Sequence, residues 1–379
     1  MAFVTYKLTI NKWSVDSAND PRTEFIMLDT QHSANSAADY CRITVYAPPP
    51  PKPSLLEQAG AAVASEVGLG GGESESFSVS VRGNPIKHGD QMTVELTVDD
   101  TATTIFTAEV SAIRSSLGQT VITGTTGKQK LAHTRLNQTY SNQSLNQIAK
   151  DLAKQASVNA GDIQTGSSYS YFVVHDSKSV LRQLQELAFR DGMDLYCDAE
   201  NKLVLKKFEK TRADHTFYYG IHVLDLQLWN YEIASEHFRV YGESPSSNQG
   251  SETWHWFTKD LSPFTGELGS GQKLLVIQDS AAKTKDAADS LATAKSGALK
   301  DGTSQGRLKI LGNPLVKLGD AMEIKEAPKP ELNGLFKVTS VRHVLSKWQG
   351  YLTFVEFTGQ GGAQQAAGAL GQLAGAVGL

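Results

Sequence analysis

The sequence predicts a mainly β chain with a small α+β insert, and three observations carry that expectation. Apolar and polar residues alternate with period two over most of the length, as half-buried antiparallel strands require. One turn signature occurs twice: Gly83-Asn84-Pro85-Ile86-Lys87-His88-Gly89-Asp90-Gln91-Met92, and Gly312-Asn313-Pro314-Leu315-Val316-Lys317-Leu318-Gly319-Asp320-Ala321-Met322. Between the copies lies a block whose apolar residues keep helical spacing. Agreement at such a distance within one chain indicates a duplicated unit.

The strands follow from the alternation. Phe77, Val79 and Val81 face away from Ser78, Ser80 and Arg82, and Met92, Val94, Leu96 and Val98 alternate with Thr93, Glu95 and Thr97. Gly-Asn-Pro supplies one turn and Gly89-Asp90 another, because Gly tolerates positive φ and Pro presets its own. The same alternation recurs in Leu308 and Ile310, in Met322 and Ile324, and in Phe336 and Val338. An apolar-Phe pair follows each Met at one offset, Ile105-Phe106 after Met92 and Leu335-Phe336 after Met322. Upstream, residues 37–47 (AADYCRITVYA) match residues 234–242 (ASEHFRVYG), which extends the duplication.

Residues 136–210 read as a small α+β domain. Ser144 with Gln147 forms a capping box, and Leu145, Ile148, Leu152 and Ala156 recur at helical spacing. Val180, Leu184, Leu187 and Ala188 make a second apolar stripe, opened by Asp176 or Ser177 and closed by Gly192. Residues 195–208 then alternate through a turn at Ala199-Glu200-Asn201, as a hairpin does. The expected organisation is a first β-barrel over 1–135, this domain, a second β-barrel over 211–357, and a tail over 358–379. Such a division suits 379 residues, more than one core usually fills.

Two insertions decorate the barrels. Residues 47–75 run from Pro48-Pro51 through a helix-capable stretch to Gly68-Gly72, the composition of an extended or flexible arm. Residues 244–305 hold an aromatic cluster, Trp254, His255, Trp256 and Phe257, then an Ala-rich helix with Ala287, Leu291, Ala294 and Ala298 on one face. Its small residues predict close packing on a sheet. Aromatic residues carry much interface energy, so Trp254, Trp256 and Phe257 are candidate interface anchors. The tail, all Gly, Ala, Gln, Leu and Val after Thr358, cannot bury enough surface to order itself and is expected to need a partner.

Composition excludes several function classes. With 36 Lys and Arg against 40 Asp and Glu, the net charge is −4, which offers no footprint for nucleic acid. No stretch is long and apolar enough to span a bilayer, and the N-terminus alternates where a secretory signal would be continuously apolar. A soluble, cytoplasmically made protein is expected. Cys41 and Cys197 lack metal-ligand or redox spacing and read as buried free thiols.

The search for chemistry yields little. Gly68-Gly72 and Gly127-Lys128 lack the spacing and hydroxyl of a phosphate loop, and no GxSxG, HExxH or CxxC occurs. The nine histidines are not paired at metal-ligand spacing, and His343 reads as a structural histidine in an exposed strand. Asp191, Asp194 and Asp198 resemble a glycosidase carboxylate set only in type, since a helix end and a turn use Asp routinely. No catalytic residue, cofactor or metal is expected.

Two segments carry a family resemblance. Residues 172–208 (FVVHDSKSVLRQLQELAFRDGMDLYCDAENKLVLKKF) place a leucine-rich helix, Gly and an aromatic strand ahead of a hairpin. Near the C-terminus an Ala-rich helix precedes GRLKILGNPLVKLGD and GLFKVTSVRHVLSKWQGYLTFVEF. Together, in that order over residues 1–357, they resemble the baseplate hub family of contractile phage tails, which includes late control protein D and the hub portion of VgrG-type spike proteins. The resemblance implies two tube-like barrels per chain and a homotrimer. Three chains then present six similar barrels, an adaptor between a hexameric inner tube and a trimeric spike. It further implies contacts with the inner tube ring, a separate spike protein and baseplate wedge components, and assembly into a phage tail or injection particle. Gly83, Asn84, Pro85, Gly89, Asp90, Gly312, Asn313, Pro314, Gly319 and Asp320 are then architectural turn positions. The rival is a cell-wall glycan-binding protein or hydrolase of a phage tail, with residues 136–210 as its working part.

Overall fold

The structure is a computed structural model that describes residues 4–19, 25–46, 78–81, 84–208, 211–242 and 264–359. The arm, Gly83, the aromatic cluster with Trp254, Trp256 and Phe257, and the tail beyond Gly359 lie outside the described residues. Strands dominate, as expected, and a single sheet takes thirteen of them.

That sheet contains the same arrangement twice. In the first half the neighbours run Phe25–Ser33, Tyr40–Tyr46, Gln119–Thr125, Thr101–Ser115, Gln91–Val98, Val4–Ile10 and Trp13–Asp16. In the second half they run Val223–Asn230, Ser304–Leu311, Gly350–Thr358, Gly334–Ser346, Ala321–Lys325 and His215–Tyr218. Two irregularities coincide, although the first half has a third, between Val94 and Glu95, that the second lacks. The first strand of each series is bulged against the second, between Phe25 and Met27 and between Val223 and Asp225. The long strand of each is bulged where it meets its hairpin partner, between Val110 and Ala112 and between Val338 and Ser340. At that second bulge a hydroxyl on the extra residue donates to the partner strand, Ser111 Oγ to Thr123 O at 3.2 Å and Thr339 Oγ1 to Glu356 O at 3.1 Å. Bulges are built features that redirect a strand, so their repetition marks common design. The halves differ at the far edge, where Val4–Ile10 is antiparallel to its neighbour and His215–Tyr218 parallel.

The duplication is real, but two of its sequence correspondences do not survive. His237–Tyr241, matched above to Tyr40–Tyr46, belongs to a separate three-stranded sheet with Thr265–Leu268 and Leu274–Gln278. The strand in the place of Tyr40–Tyr46 is Ser304–Leu311. Likewise Met92 stands opposite Ala108, whereas Met322 stands opposite Phe336. Phe106 and Phe336 are both fully buried, yet they sit two residues apart in register. A shift of two keeps every side chain on its face, so alternation alone cannot detect it.

The halves are hydrogen-bonded to each other. Phe25–Ser33 pairs antiparallel with Gly334–Ser346, from Ser33 opposite Ser340 to Met27 opposite Ser346. Two separate apolar clusters lie on either side of this joint. One gathers Leu8, Ile43, Met92, Phe106 and Ile122, the other Leu308, Met322, Ile324, Phe336 and Phe357.

The intervening block has helix α1 (Gly127–His133), α2 (Leu145–Gln155) and α3 (Val180–Arg190) around a third cluster. The capping box forms as expected, with Ser144 N–H donating to Gln147 Oε1 at 2.9 Å. Helix α3 starts later than expected: Ser179 is its cap and accepts from Arg182 N–H at 3.3 Å. Gly192 closes it at φ +66°. The hairpin over Asp194–Cys197 and Leu203–Lys206 turns at Asn201, φ +63°, and gains Ala160–Ile163 as a third, parallel strand. Helix α1 had no periodic signal because it is only two turns long.

The Ala-rich helix is α4 (Lys285–Asp301), and its buried face is Ala288, Leu291, Ala292 and Ser296. Leu291 is shared with the expected stripe, but Ala298 is exposed, so the helix is rotated from that reading. The close approach to a sheet does occur, at one contact. A Cβ on Gly266 would lie 2.3 Å from the Ala288 carbonyl carbon, so only glycine lets the strand touch the helix backbone. No helix among the described residues is long and apolar enough to cross a membrane.

Candidate assembly interface

The second part of the repeated signature is one turn built twice. Asp90 Oδ2 accepts Lys87 N–H at 2.8 Å, and Asp320 Oδ2 accepts Lys317 N–H at 2.8 Å. In each, the Asp N–H returns to the Lys carbonyl at 3.3 Å, and the intervening Gly takes positive φ, +85° at Gly89 and +74° at Gly319. An Asp side chain bonding its neighbouring backbone is the Asx chemistry that specifies such turns. Each turn then locks onto the long strand of its half. Gly89 N–H reaches Val110 O at 2.9 Å and Val110 N–H reaches Asp90 O at 2.9 Å, matched by Gly319 to Val338 at 3.1 Å and Val338 to Asp320 at 2.9 Å.

These turns have a consequence for the long strands. Residues 101–109 of the first long strand and 334–337 of the second pair with the strand that follows the turn. Beyond the turn that edge is released. In the second half the freed stretch, Ser340 to Ser346, is what receives Phe25–Ser33.

The Gly-Asn-Pro part is not reproduced. In the first copy Asn84–Lys87 is a short strand paired with Ser78–Val81. In the second, Asn313 Oδ1 accepts Leu315 N–H at 3.0 Å and Asn313 N–H donates to Thr353 Oγ1 at 2.9 Å, which makes a turn. Gly312 lies against the Tyr351 ring, where a Cβ would come within 1.9 Å of Cδ1. The tip of the first-half hairpin, Val98 to Thr103, faces this turn across a cleft of about 380 Å³.

The joint is polar for so buried a place. The Arg342 guanidinium grips Asp29 with two bonds, Nε to Oδ1 at 2.7 Å and Nη2 to Oδ2 at 2.9 Å. Bidentate pairs of this kind fix geometry as well as adding energy. Just beyond it, Lys128 on α1 is fully buried and donates to Ser33 O at 2.6 Å and to Asp39 Oδ1 at 3.3 Å. Burial pushes the Asp39 carboxyl up, but the His32 imidazole 3.6 Å away, the Lys128 ammonium and the Ser33 N–H together hold it below the usual range. Asn201 of the hairpin turn accepts Gly127 N–H at 2.6 Å, so α1 is held from both sides. On the second-half side, His343 Nδ1 contacts Tyr351 Oη at 2.9 Å and Thr353 Oγ1 at 3.2 Å. The strand carrying His343 is buried, against the exposed one expected, and that burial lowers its pKa to about 3, keeping the ring neutral. Sequence reading missed Asp39 and Lys128, since nothing in a lone Lys predicts that its partner lies eighty-nine residues upstream.

The three candidate carboxylates are dispersed into structural roles. Asp191 caps α3 and accepts Ser167 N–H and Oγ, both at 2.6 Å. Asp194 accepts Lys337 Nζ at 2.6 Å, and Asp198 accepts the N–H groups of Glu200 and Lys202 at 3.0 and 2.9 Å. Cys41 and Cys197 are buried and free, with burial pushing the Cys197 thiol up to about 12. Among the described residues no three His, Cys, Asp or Glu side chains converge as a metal site would require.

No family model and no curated protein matches the sequence. Solved structures do match in fold. A prophage tail protein from Shewanella oneidensis aligns with TM-score 0.65 at 12% identity, covering 94% of this chain and 98% of that one. A tail protein from Neisseria meningitidis gives 0.64 at 10%, covering 94% and 96%. A third, from E. coli, is a type VI secretion system component described as similar to the T4 tail proteins gp27 and gp5. It gives 0.52 at 7%, covering 94% and 77%. The chain therefore has the mainly β fold of phage tail proteins.

Proposed function

We propose that this chain is the structural hub of a contractile injection machine. In this reading it is a homotrimeric, pseudo-sixfold adaptor between a hexameric inner tube and a trimeric spike. The observation that carries the reading is the duplication of a β unit within one chain, down to two shared bulges. A ring closes through heterologous contacts only when the same kind of surface recurs at each step, and two units per chain times three chains supply six. The tail-protein fold of the structural neighbours supports the same reading. Residues 1–135 and 211–357 would be the tube units and 136–210 an outer domain. Function in that setting is mechanical, since the hub transmits thrust from tube to spike and needs no turnover. The Lys-x-Gly-Asp turns would act as architecture, ending one hairpin strand so that the long strand can accept another.

Native mass spectrometry of the purified chain tests the oligomer. A stable trimer is expected, and a strictly monomeric species at high concentration would overturn the reading. Incubation with murein tests the absence of catalysis. No turnover is expected, whereas cleavage lost on Asp191→Asn or Asp194→Asn would favour the hydrolase.

A further inference from the structure

The joint inside the chain has a counterpart that the chain leaves open. By ladder position and by the shared bulges, Phe25–Ser33 corresponds to Val223–Asn230, with Leu28 and Leu226 opposite Ile43 and Leu308. Gly334–Ser346 corresponds to Thr101–Ser115, with Val338 and Val110 each bonded to the Asp of the repeated turn. Within the chain, the first strand of half one pairs with the freed stretch of the long strand of half two. The reciprocal partners are the first strand of half two and the freed stretch of the long strand of half one. Among the described residues neither is hydrogen-bonded to a strand on its outer side, although the short strand Ser78–Val81 comes close to the long strand of half one.

Exposure follows this difference. At the joint, Ser340, Val341 and His343 are buried, and so are Ser33, His32 and Thr30. Of their counterparts, Ala112 and Ser115 are exposed, as are Tyr231 and Asn230, while Ile113 and Leu228 are half-buried. Tyr231 is 57% and Trp229 39% exposed, large apolar area on an unpaired sheet edge. Such edges invite strand addition unless something covers them.

We infer that Val223–Asn230 of one copy pairs antiparallel with Ala112–Ser115 of a second copy, in the register of the internal joint. Transferring that register sets Ala112 opposite Tyr231, Ile113 opposite Asn230, Arg114 opposite Trp229 and Ser115 opposite Leu228. The internal bond from Ala34 N–H to Thr339 O, 2.9 Å, becomes Glu232 N–H to Ser111 O between copies. The contact is heterologous, so it propagates around a ring and leaves no two-fold dimer. It rests on the hub reading for the number of copies, and supplies the atomic partner that reading lacks. Its chemistry differs from the internal joint in one respect. Where Arg342 grips Asp29, the counterpart position to Asp29 is Gln227, and Trp229 already lies under Arg307 at 5.7 Å. Arg114 then meets an aromatic face in place of a carboxylate, and cation–π contact replaces the ion pair.

Paired cysteines test the register. Ala34 to Thr339 is a hydrogen-bonded pair, so Ser33 with Ser340, and hence Ala112 with Tyr231, falls in the narrow class with Cα atoms about 4.5 Å apart, within disulfide reach. The double variant Ala112→Cys, Tyr231→Cys is expected to cross-link between chains on mild oxidation, giving a non-reducing ladder that ends at a closed trimer. Ala112→Cys with Trp229→Cys, two residues out of register, is expected to cross-link weakly. Stronger linkage in the shifted pair, or linkage of Ala112→Cys with itself, would overturn the pairing. Native mass spectrometry of the unmodified chain separates the two readings. A trimer without the in-register disulfide refutes this interface and spares the hub, while a monomer at high concentration refutes both.

Discussion

The two copies of the repeated signature fare differently. The Lys-x-Gly-Asp turn is rebuilt bond for bond, with Lys N–H to Asp Oδ2 at 2.8 Å in both copies. The Gly-Asn-Pro element is a strand at Asn84–Lys87 and a turn at Asn313. The first is closed by a side chain three residues from its target, so it carries its own instructions. The second borrows its partners, Ser78–Val81 in one half and Tyr351 with Thr353 in the other, and takes the shape they impose. The extra residue of the second copy, Leu315, is accommodated by exposing it, while Ile86 and Val316 both stay buried.

The largest expected effect sits where only the first half has a device. Lys128→Met removes the one ammonium that contacts buried Asp39, and stripping one partner from a buried pair costs about 3–5 kcal/mol. Urea denaturation should show a loss of that size, partly recovered in Lys128→Met, Asp39→Asn. A loss below about 1 kcal/mol would mean the cluster is not holding α1 to the sheet.

The second half has an acid sensitivity of its own. Burial depresses His343 to about 3 from an ordinary 6.5. Above pH 6.5 the ring is neutral folded or unfolded and nothing is lost. As pH falls from there toward 3, the unfolded chain takes a proton that the native state refuses, and stability declines. His343→Gln should move the acid-unfolding midpoint to lower pH, and an unchanged midpoint would show that another group governs acid lability.

The twin glycines sharpen the comparison of turns. Both hold positive φ, so Ala costs about 1 kcal/mol at either. A Cβ on Gly89 meets nothing within 4 Å, whereas on Gly319 it comes 2.8 Å from Tyr196 Oη of the hairpin domain. Gly319→Ala should therefore be the costlier, and equal losses would mean that Tyr196 yields freely. The smallest difference is expected at the aspartates. Asp90→Ala and Asp320→Ala each lose the turn bond, about 1 kcal/mol. Asp90 also loses Asn11 Nδ2 at 3.2 Å, an exposed contact, and Asp320 loses His215 Nε2 at 3.0 Å, a part-buried one, so the loss in denaturant at Asp320 should exceed that at Asp90 by only a few tenths of a kcal/mol.

Much of the fold was legible because its determinants are local. The α2 capping box, the two helical stripes, the Asn201 turn and both Lys-x-Gly-Asp turns depend on side chains within a few residues of the backbone they satisfy. Other features misled for physical reasons. Residues 234–242 match 37–47 because both are buried alternating strands, a pattern that does not name the neighbouring strand. The Phe pair keeps its sequence offset while the ladder slips two residues, because hairpin loop length sets register and alternation is blind to even shifts.

The sequence by itself determined the alternation, the duplicated turns, the helix caps and the lack of a strong charge footprint. Only the tertiary structure decided that the two β units share one sheet, which strand replaces which, and that Lys128 finds Asp39. Those facts depend on contacts between residues far apart in the chain, where loop closure and burial choose among many locally equivalent pairings.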